Sequence, residues 1–175
     1  MMTALLGITG KAGSGKSTAA QVLIDAGWVR IKFADPLKDM LRAIGLTEDQ
    51  IEGHLKEVPC DLLQGRTPRW AMQSLGTEWG RGCIGERVWL DIVRRKIALA
   101  MAAGLSVVVD DVRFENEAQV IRELGGLVLG ISRNVNVTSG HVSENGTTVD
   151  MTHINNGTVA ELRGFMEYVF LTATE

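Results

Sequence analysis

Thr3-Ala-Leu-Leu-Gly-Ile-Thr-Gly10-Lys-Ala-Gly-Ser-Gly15-Lys16-Ser17-Thr18 is the stretch that decides the fold. Ala4 to Ile8 is an apolar run and reads as a buried strand. It passes directly into Gly10-x-x-x-x-Gly15-Lys16-Ser17, and a helical stretch follows from about Lys16 to Ala26. Strand, glycine-rich turn and helix, in that order, form the context that a Walker A phosphate loop (P-loop) requires. Gly10, Gly13 and Gly15 permit turn conformations that a Cβ would obstruct. Successive N–H groups, from Gly10 through Lys11, Ala12, Gly13, Ser14 and Gly15 to Thr18, can then point into one concavity. The N-terminus of the helix adds its partial positive charge. Lys16 would reach the β- and γ-phosphates of a nucleoside triphosphate, and the Ser17 hydroxyl would ligate Mg²⁺.

The rest of the composition narrows the class. At 175 residues the chain is one domain with room for a sizeable core. The net charge of −3, with acidic and basic residues interspersed, points to no basic nucleic-acid-binding face. Cys60 and Cys83 form no CxxC and lie far apart, which argues against a zinc knuckle or redox motif. Two unpaired cysteines and no signal peptide point to a reducing cytoplasm. The N-terminal apolar run is too short to span a bilayer.

In chain order, Ala19, Val22 and Leu23 are the buried stripe of the first helix, and Gly27 suits its C-terminal cap. Trp28 to Phe33 alternates and reads as a second strand. Asp35, as N-cap, and Pro36, as first helical residue, open a helix that ends near Gly45. Thr47 and Gln50 have the spacing of a capping box. Residues 53–68 are a loop by composition. A helix from about Arg69 to Arg81 follows. Arg69, Gln73, Thr77 and Arg81 recur every four residues and share one face, while Met72, Leu75 and Trp79 face inward. That polar row is either a surface for a phosphate and a base edge or a solvated helix face.

Val88 to Ala103 is an amphipathic helix through Ile92, Val93, Ile97 and Met101. Leu105 to Asp111 is an apolar strand ending in two carboxylates, whose C-terminal end would enter the site. A helix over 115–124, a strand over 127–132 and a polar, turn-rich stretch over 134–148 come next. The last of these is a lid or a loop. A strand over 149–154 and a helix over 158–171 close the chain. The order predicts a three-layer α/β fold: a parallel five-stranded sheet with helices on both faces and right-handed crossovers.

A phosphate loop does not name the acceptor. A GTPase would need Asn-Lys-x-Asp, which is absent from the chain. A motor or helicase would be longer and basic along its path. A small-molecule kinase needs a helical insertion after the second strand, arginines for the transferring phosphoryl group and a lid that excludes water. Each has a candidate here. No general base stands out. A phosphate-monoester acceptor would need none, because its second pKa is about 6; for an alcohol acceptor the candidates are Asp35 and Asp111.

Thr67-Pro-Arg69 with Gln73-Ser-Leu-Gly-Thr77-Glu-Trp79-Gly-Arg81 and Trp89 resembles the bacteriophage deoxynucleoside monophosphate kinases. So do Phe33-Ala-Asp35-Pro-Leu-Lys38, Asp111-Val-Arg113-Phe with Asn116-Glu-Ala118, Gly125-Gly126, Arg133, His141-x-Ser143-Glu144, Asp150 and Ile154-x-Asn156. The resemblance spans nearly the whole chain. It implies an adenylate-kinase-like fold, ATP with Mg²⁺, and conversion of dNMP to dNDP for phage DNA synthesis. The domain would comprise a core of 1–45 and 86–175, an acceptor-binding insertion of about 46–85 and a lid of about 134–148. The resemblance further implies Lys16 and the loop amides on the ATP phosphates, with Arg133 on the adenine or the phosphates. Asp35, Lys38, Arg69, Gln73, Thr77 and Arg81 would hold the dNMP. Ser17 and Asp111 would hold Mg²⁺, with Asp110 exchanging for Asp111 on a one-residue change of strand register. Arg113 would neutralise the transferring group, or would pair structurally with Glu117. The lid departs from related kinases in carrying no arginine. Partners are then ATP and dNMP, with no stable nucleic-acid partner and no membrane. A homodimer is admitted by the resemblance alone. Phosphorylation of a hydroxymethylated base in DNA, and a non-catalytic nucleotide-binding module, are the competing readings.

Overall fold

The structure, a computed structural model, describes residues 3–133 and 147–173. The expected lid, including His141, falls outside the described residues except for Thr147 and Thr148. The chain divides into two compact units, residues 1–33 with 94–175 and residues 34–93.

The larger unit is built on a five-stranded parallel sheet of β1 (Leu5–Thr9), β2 (Val29–Arg30), β3 (Val107–Val112), β4 (Leu127–Ser132) and β5 (Met151–Ile154), in the order β2-β3-β1-β4-β5. Its central strands are apolar runs, because both faces are covered. One face carries α1 (Lys16–Asp25) and α7 (Val159–Ala173). Their Ala19, Ala20, Leu23, Leu162 and Met166 pack against Leu6, Ile8, Val108 and Leu129. On the other face α6 (Glu115–Glu123) sets Ile121 over Gly7, and α5 (Val88–Ala102) is tied to α6 by an Arg94–Glu123 ion pair of 3.1 Å. The three-layer parallel fold expected from the sequence is therefore present. Among the described residues no helix is long and apolar enough to cross a membrane.

Two local features differ from expectation. The second strand is only two residues long instead of six: past Arg30 the Ile31 N–H still reaches Val108 O at 3.0 Å, but the Phe33 N–H turns to the Asp111 carboxylate at 2.9 Å. On β3 the register passes from Gly7↔Val109 to Thr9↔Val112, so β3 holds one extra residue there. A bulge of this kind re-aims side chains, and it lies at Asp110-Asp111.

The smaller unit is helical. Its α2 (Asp35–Ala43) has Ala34 as N-cap, with Asp35 and Pro36 as the first two helical residues; Asp35 is thus one position further in than expected. The expected capping box forms at α3 (Glu48–Ile51): Thr47 accepts from the Gln50 N–H, and the Gln50 side chain accepts from the Thr47 N–H at 2.9 Å. The expected loop of 53–68 contains two short 3₁₀ turns, His54–Glu57 and Asp61–Leu63. Thr67 caps α4 (Pro68–Ser74), which continues as a π-helical segment, Leu75–Ile84. Leu41, Leu46, Ile51 and Ala71 form the core of this unit, with Met72 and Leu75 against them. Trp79 does not go inward; it is 41% exposed, its ring 6.1 Å from that of buried Trp89. Trp70 is also exposed, under the Arg66 guanidinium at 4.9 Å, so Trp89 alone of the three tryptophans in this stretch is a core residue. In α5, Ile92 likewise sits on the exposed side, while Val93 and Ile97 are buried.

Candidate active site

The loop after β1 is held in shape by its own backbone. Gly10, Gly13 and Gly15 all have positive φ, at 145°, 77° and 107°. Such angles are open to glycine and strained for other residues. The Lys16 ammonium folds back on the loop and donates to the carbonyls of Gly10 at 2.6 Å and Lys11 at 2.7 Å. Lys11, Ala12, Gly13 and Ser17 are exposed, whereas Ser14 is buried. The hydroxyls of Thr9 and Ser14 are buried without a hydrogen-bond partner among the described residues.

The neighbouring strands bring charge to this loop. Burial lowers the pKa of Lys16, the Arg113 guanidinium lowers it further, and the carboxylate of Asp110 opposes both. Asp110 and Arg113 therefore act electrostatically on the loop lysine. Asp110 is 5% exposed and is gripped by the Arg30 guanidinium, whose Nε donates at 3.0 Å while an amino group completes the fork. Arg30 stands beside Val108, two residues before Asp110, so side-chain alternation puts the two on one face of the sheet. Asp111 is half-buried and accepts from the Phe33 N–H. Sequence reasoning did not single out Arg30. The available signal was an arginine in a strand adjoining one that ends in two carboxylates.

Arg113 is fixed through its backbone. Glu117 spends its carboxylate on the N–H groups of Arg113 at 2.7 Å and Phe114 at 3.1 Å, reaching back from the third position of α6. Burial raises the Glu117 pKa, and the two N–H groups work against that shift. The fully buried Thr147 donates its hydroxyl to Arg113 O at 3.0 Å. Its neighbour Thr148 donates its N–H to Glu115 at 2.6 Å, and Arg122 joins Glu115, Thr148 and Asp150. The chain re-entering β5 is thus pinned to α6. Arg133, just past β4, is exposed. The larger unit accordingly brings together the phosphate loop, Asp110, Asp111 and Arg113 at strand ends, where open α/β sheets bind ligands.

The smaller unit carries the other expected residues. Arg69, Gln73, Thr77 and Arg81 are all exposed, two on α4 and two on the π-helical segment. Bonds from residue i to i+5 widen that segment. Residues four apart therefore fall short of a full turn there, whereas in the α-helix they overshoot one. Arg69 is ion-paired with Glu57. Lys38 is ion-paired with Glu52 at 2.5 Å and is mostly buried. Asp35 is half-buried at the start of α2.

Comparisons with known proteins bear on the family and the fold. Residues 52–165 match the family model described as deoxynucleotide monophosphate kinase. A protein of Acanthamoeba polyphaga mimivirus described as a deoxynucleotide monophosphate kinase is 36% identical over 180 residues, covering 90% of this chain and 91% of the relative. The deoxynucleoside-5′-monophosphate kinase of Escherichia phage T5 is 26% identical, covering 83% and 85%. Two solved structures share the fold: TT1252 of Thermus thermophilus, with a TM-score of 0.56 and 21% identity over 100% of both chains, and a protein of Chloroflexus aurantiacus described as a kinase, with a TM-score of 0.53 and 11% identity over 98% of both. With the family model covering more than half of the chain and the mimivirus protein matching at nearly full length, the chain belongs to the deoxynucleotide monophosphate kinase family.

Proposed function

We propose that this protein transfers the γ-phosphoryl group of ATP to the phosphate of a deoxynucleoside monophosphate, giving dNDP and ADP. The observation that carries the reading is the phosphate loop with Lys16 under the influence of Asp110 and Arg113, in a chain of this family. Lys16 exchanges its two loop carbonyls for the β- and γ-phosphates of ATP. The loop amides from Gly10 to Thr18 donate to the remaining phosphate oxygens, and Arg133 lies toward the adenine or the phosphates. The phosphate charge restores the preference of Lys16 for its protonated form, which burial and Arg113 weaken.

The acceptor-binding insertion, about 46–85, falls within the 34–93 unit. Arg69 and Arg81 bind the acceptor phosphate, Gln73 and Thr77 face its sugar or base, and Asp35 and Lys38 border it. Arg113 neutralises charge on the transferring group, its backbone held by Glu117 and Thr147. The acceptor oxygen is already largely ionised at neutral pH, since the second phosphate pKa is about 6. Positioning and charge neutralisation then suffice, with no side chain required as base.

The donor set suits Mg²⁺. Among the described residues no three His, Cys, Asp or Glu side chains gather into an all-protein metal cage. Mg²⁺ is ordinarily bound by one or two carboxylates together with substrate phosphates and waters. The exposed Ser17 hydroxyl and the half-buried Asp111 offer that arrangement, with Asp110 fixed beside them by Arg30. When bound, the ion neutralises charge on the β- and γ-phosphates. The protein would act in the cytoplasm where DNA precursors are made, with the two nucleotides as its partners.

The test is ADP release with Mg-ATP and a panel of the four common dNMPs, a ribonucleotide and 5-hydroxymethyl pyrimidine nucleotides. Release that depends on at least one dNMP is expected. No stimulation by any monophosphate, with ATP binding intact, would overturn the reading.

A further inference from the structure

We propose that Asn155 is a positioning residue for the phosphate loop, clamping the Ser14-Gly15 peptide in its phosphate-binding orientation; this rests on the reading of that loop as the ATP-phosphate site. Asn155 follows β5 directly, and its backbone N–H continues the ladder to Ser132 O at 2.7 Å. Its side chain is turned inward, the residue being 2% exposed, and its amide Nδ2 donates to Ser14 O at 2.8 Å across 141 positions of sequence. The reverse orientation of the amide would face two carbonyl oxygens at that distance, so the donor must be the group that points at Ser14.

The loop is shaped to admit this amide. A Cβ built on Gly15 would lie 2.5 Å from Asn155 Nδ2 and 3.1 Å from the Leu162 side chain. The Asn155 amide therefore occupies the space a side chain at position 15 would fill. At the other end of the loop a Cβ on Gly10 would lie 2.1 Å from Ile131 O. The loop is thus fitted against the end of β4 on one side and Asn155 on the other.

The consequence follows from the planarity of the peptide bond. In a trans peptide the C=O and the next N–H point in opposite directions. With Ser14 O held by Asn155, the Gly15 N–H is directed away from Asn155 and toward the phosphate concavity. A loop so fixed does not have to order itself when the phosphates arrive, which is how pre-organisation raises affinity. Asn155 needs no contact with the nucleotide to do this.

The experiment is calorimetric titration of Asn155→Ala and Asn155→Asp with ATP, with inorganic tripolyphosphate and with the best dNMP of the panel, alongside thermal melts. Tripolyphosphate engages the loop and carries no base. Asn155→Ala is expected to lose about tenfold in affinity for ATP and for tripolyphosphate alike, the scale of one buried hydrogen bond, with dNMP affinity unchanged. Asn155→Asp is expected to lose more, because an ionised carboxylate has no donor for Ser14 O and adds negative charge near the phosphates. Asn155→Ser, a smaller change that also cannot span to Ser14, serves if Ala fails to fold. Unchanged tripolyphosphate affinity in a folded variant would overturn the inference, and so would loss confined to ATP, which would make Asn155 a reader of the adenosine. Equal loss for ATP, tripolyphosphate and dNMP would also overturn it, as general damage. Failure of the native protein to bind ATP or tripolyphosphate would take down the loop assignment and this inference together.

Discussion

The larger unit and the 34–93 unit carry the two proposed nucleotide sites, and they build them from different parts of the chain. In the larger unit the phosphate loop is shaped by backbone. Three glycine dihedrals aim the amides, and side chains such as Asn155 and Arg30 brace the frame. In the smaller unit the polar row is made of exposed side chains carried on a helix that changes from α to π partway along. A backbone site is set by a few local conformations and survives drift elsewhere. A side-chain row depends on helical pitch and on the partners its arginines already hold, such as Glu57 for Arg69.

The sharpest way to break this comparison is Lys16→Met. Loss of a cation aimed at developing charge costs about 10²- to 10³-fold in kcat, and we expect the upper end here, with the melting temperature nearly unchanged. Turnover within tenfold of native would remove the loop from the chemistry.

Next in size is Arg30→Ala. It leaves a nearly buried Asp110 carboxylate without its fork. Breaking a buried pair costs about 3–5 kcal/mol; because the Arg30 side chain is 33% exposed, we expect about 2 kcal/mol, read as a shift in urea midpoint. Comparing Asp110→Asn with Asp111→Asn in a Mg²⁺ titration of activity sharpens the point. The larger rightward shift should fall on Asp111, whereas the larger loss of stability should fall on Asp110.

Arg69→Ala should raise the KM for dNMP by about tenfold, the scale of one charge-assisted hydrogen bond, and leave the ATP dissociation constant alone. Equal effects on both substrates would erase the distinction between the units. The smallest expected effect is Thr47→Ala, which removes the cap of α3 and should cost about 1 kcal/mol in denaturation of the protein, with both nucleotide affinities preserved.

The larger unit was the more legible of the two. Its strands are apolar runs bounded by glycines, and its loop is a spacing pattern, so local sequence carries both. What escaped is what only tertiary pairing creates. The bulge at Asp110-Asp111 arises from register against β1 and leaves no mark in Val-Val-Val-Asp-Asp-Val. Arg30 and Asn155 matter through partners far away in sequence. In the smaller unit, Thr47 and Gln50 announce their capping box because it is local. The π-helical segment is not announced by any local spacing; within it Gly76 and Gly80 receive Trp89. The indole N–H of Trp89 reaches Gly76 O at 2.8 Å, and a Cβ on Gly80 would lie 2.5 Å from that nitrogen.

The brevity of β2 bears on the order in which the protein assembles. Two residues pair with β3 across the whole of 31–106. Closing a loop that long carries an entropic cost that grows with the logarithm of its length, and two residues of ladder return little against it. The central ladders, β1 with β3 and β1 with β4, have five- and six-residue strands behind them. The edge strand should therefore join late during folding and part early in the native protein. Its amides at Val29 and Ile31 should exchange with solvent by local opening well before those of β1. Since Arg30 sits in that strand, each such opening would also release Asp110, so the exchange rate of the edge bears on how long the carboxylate beside the loop stays in place.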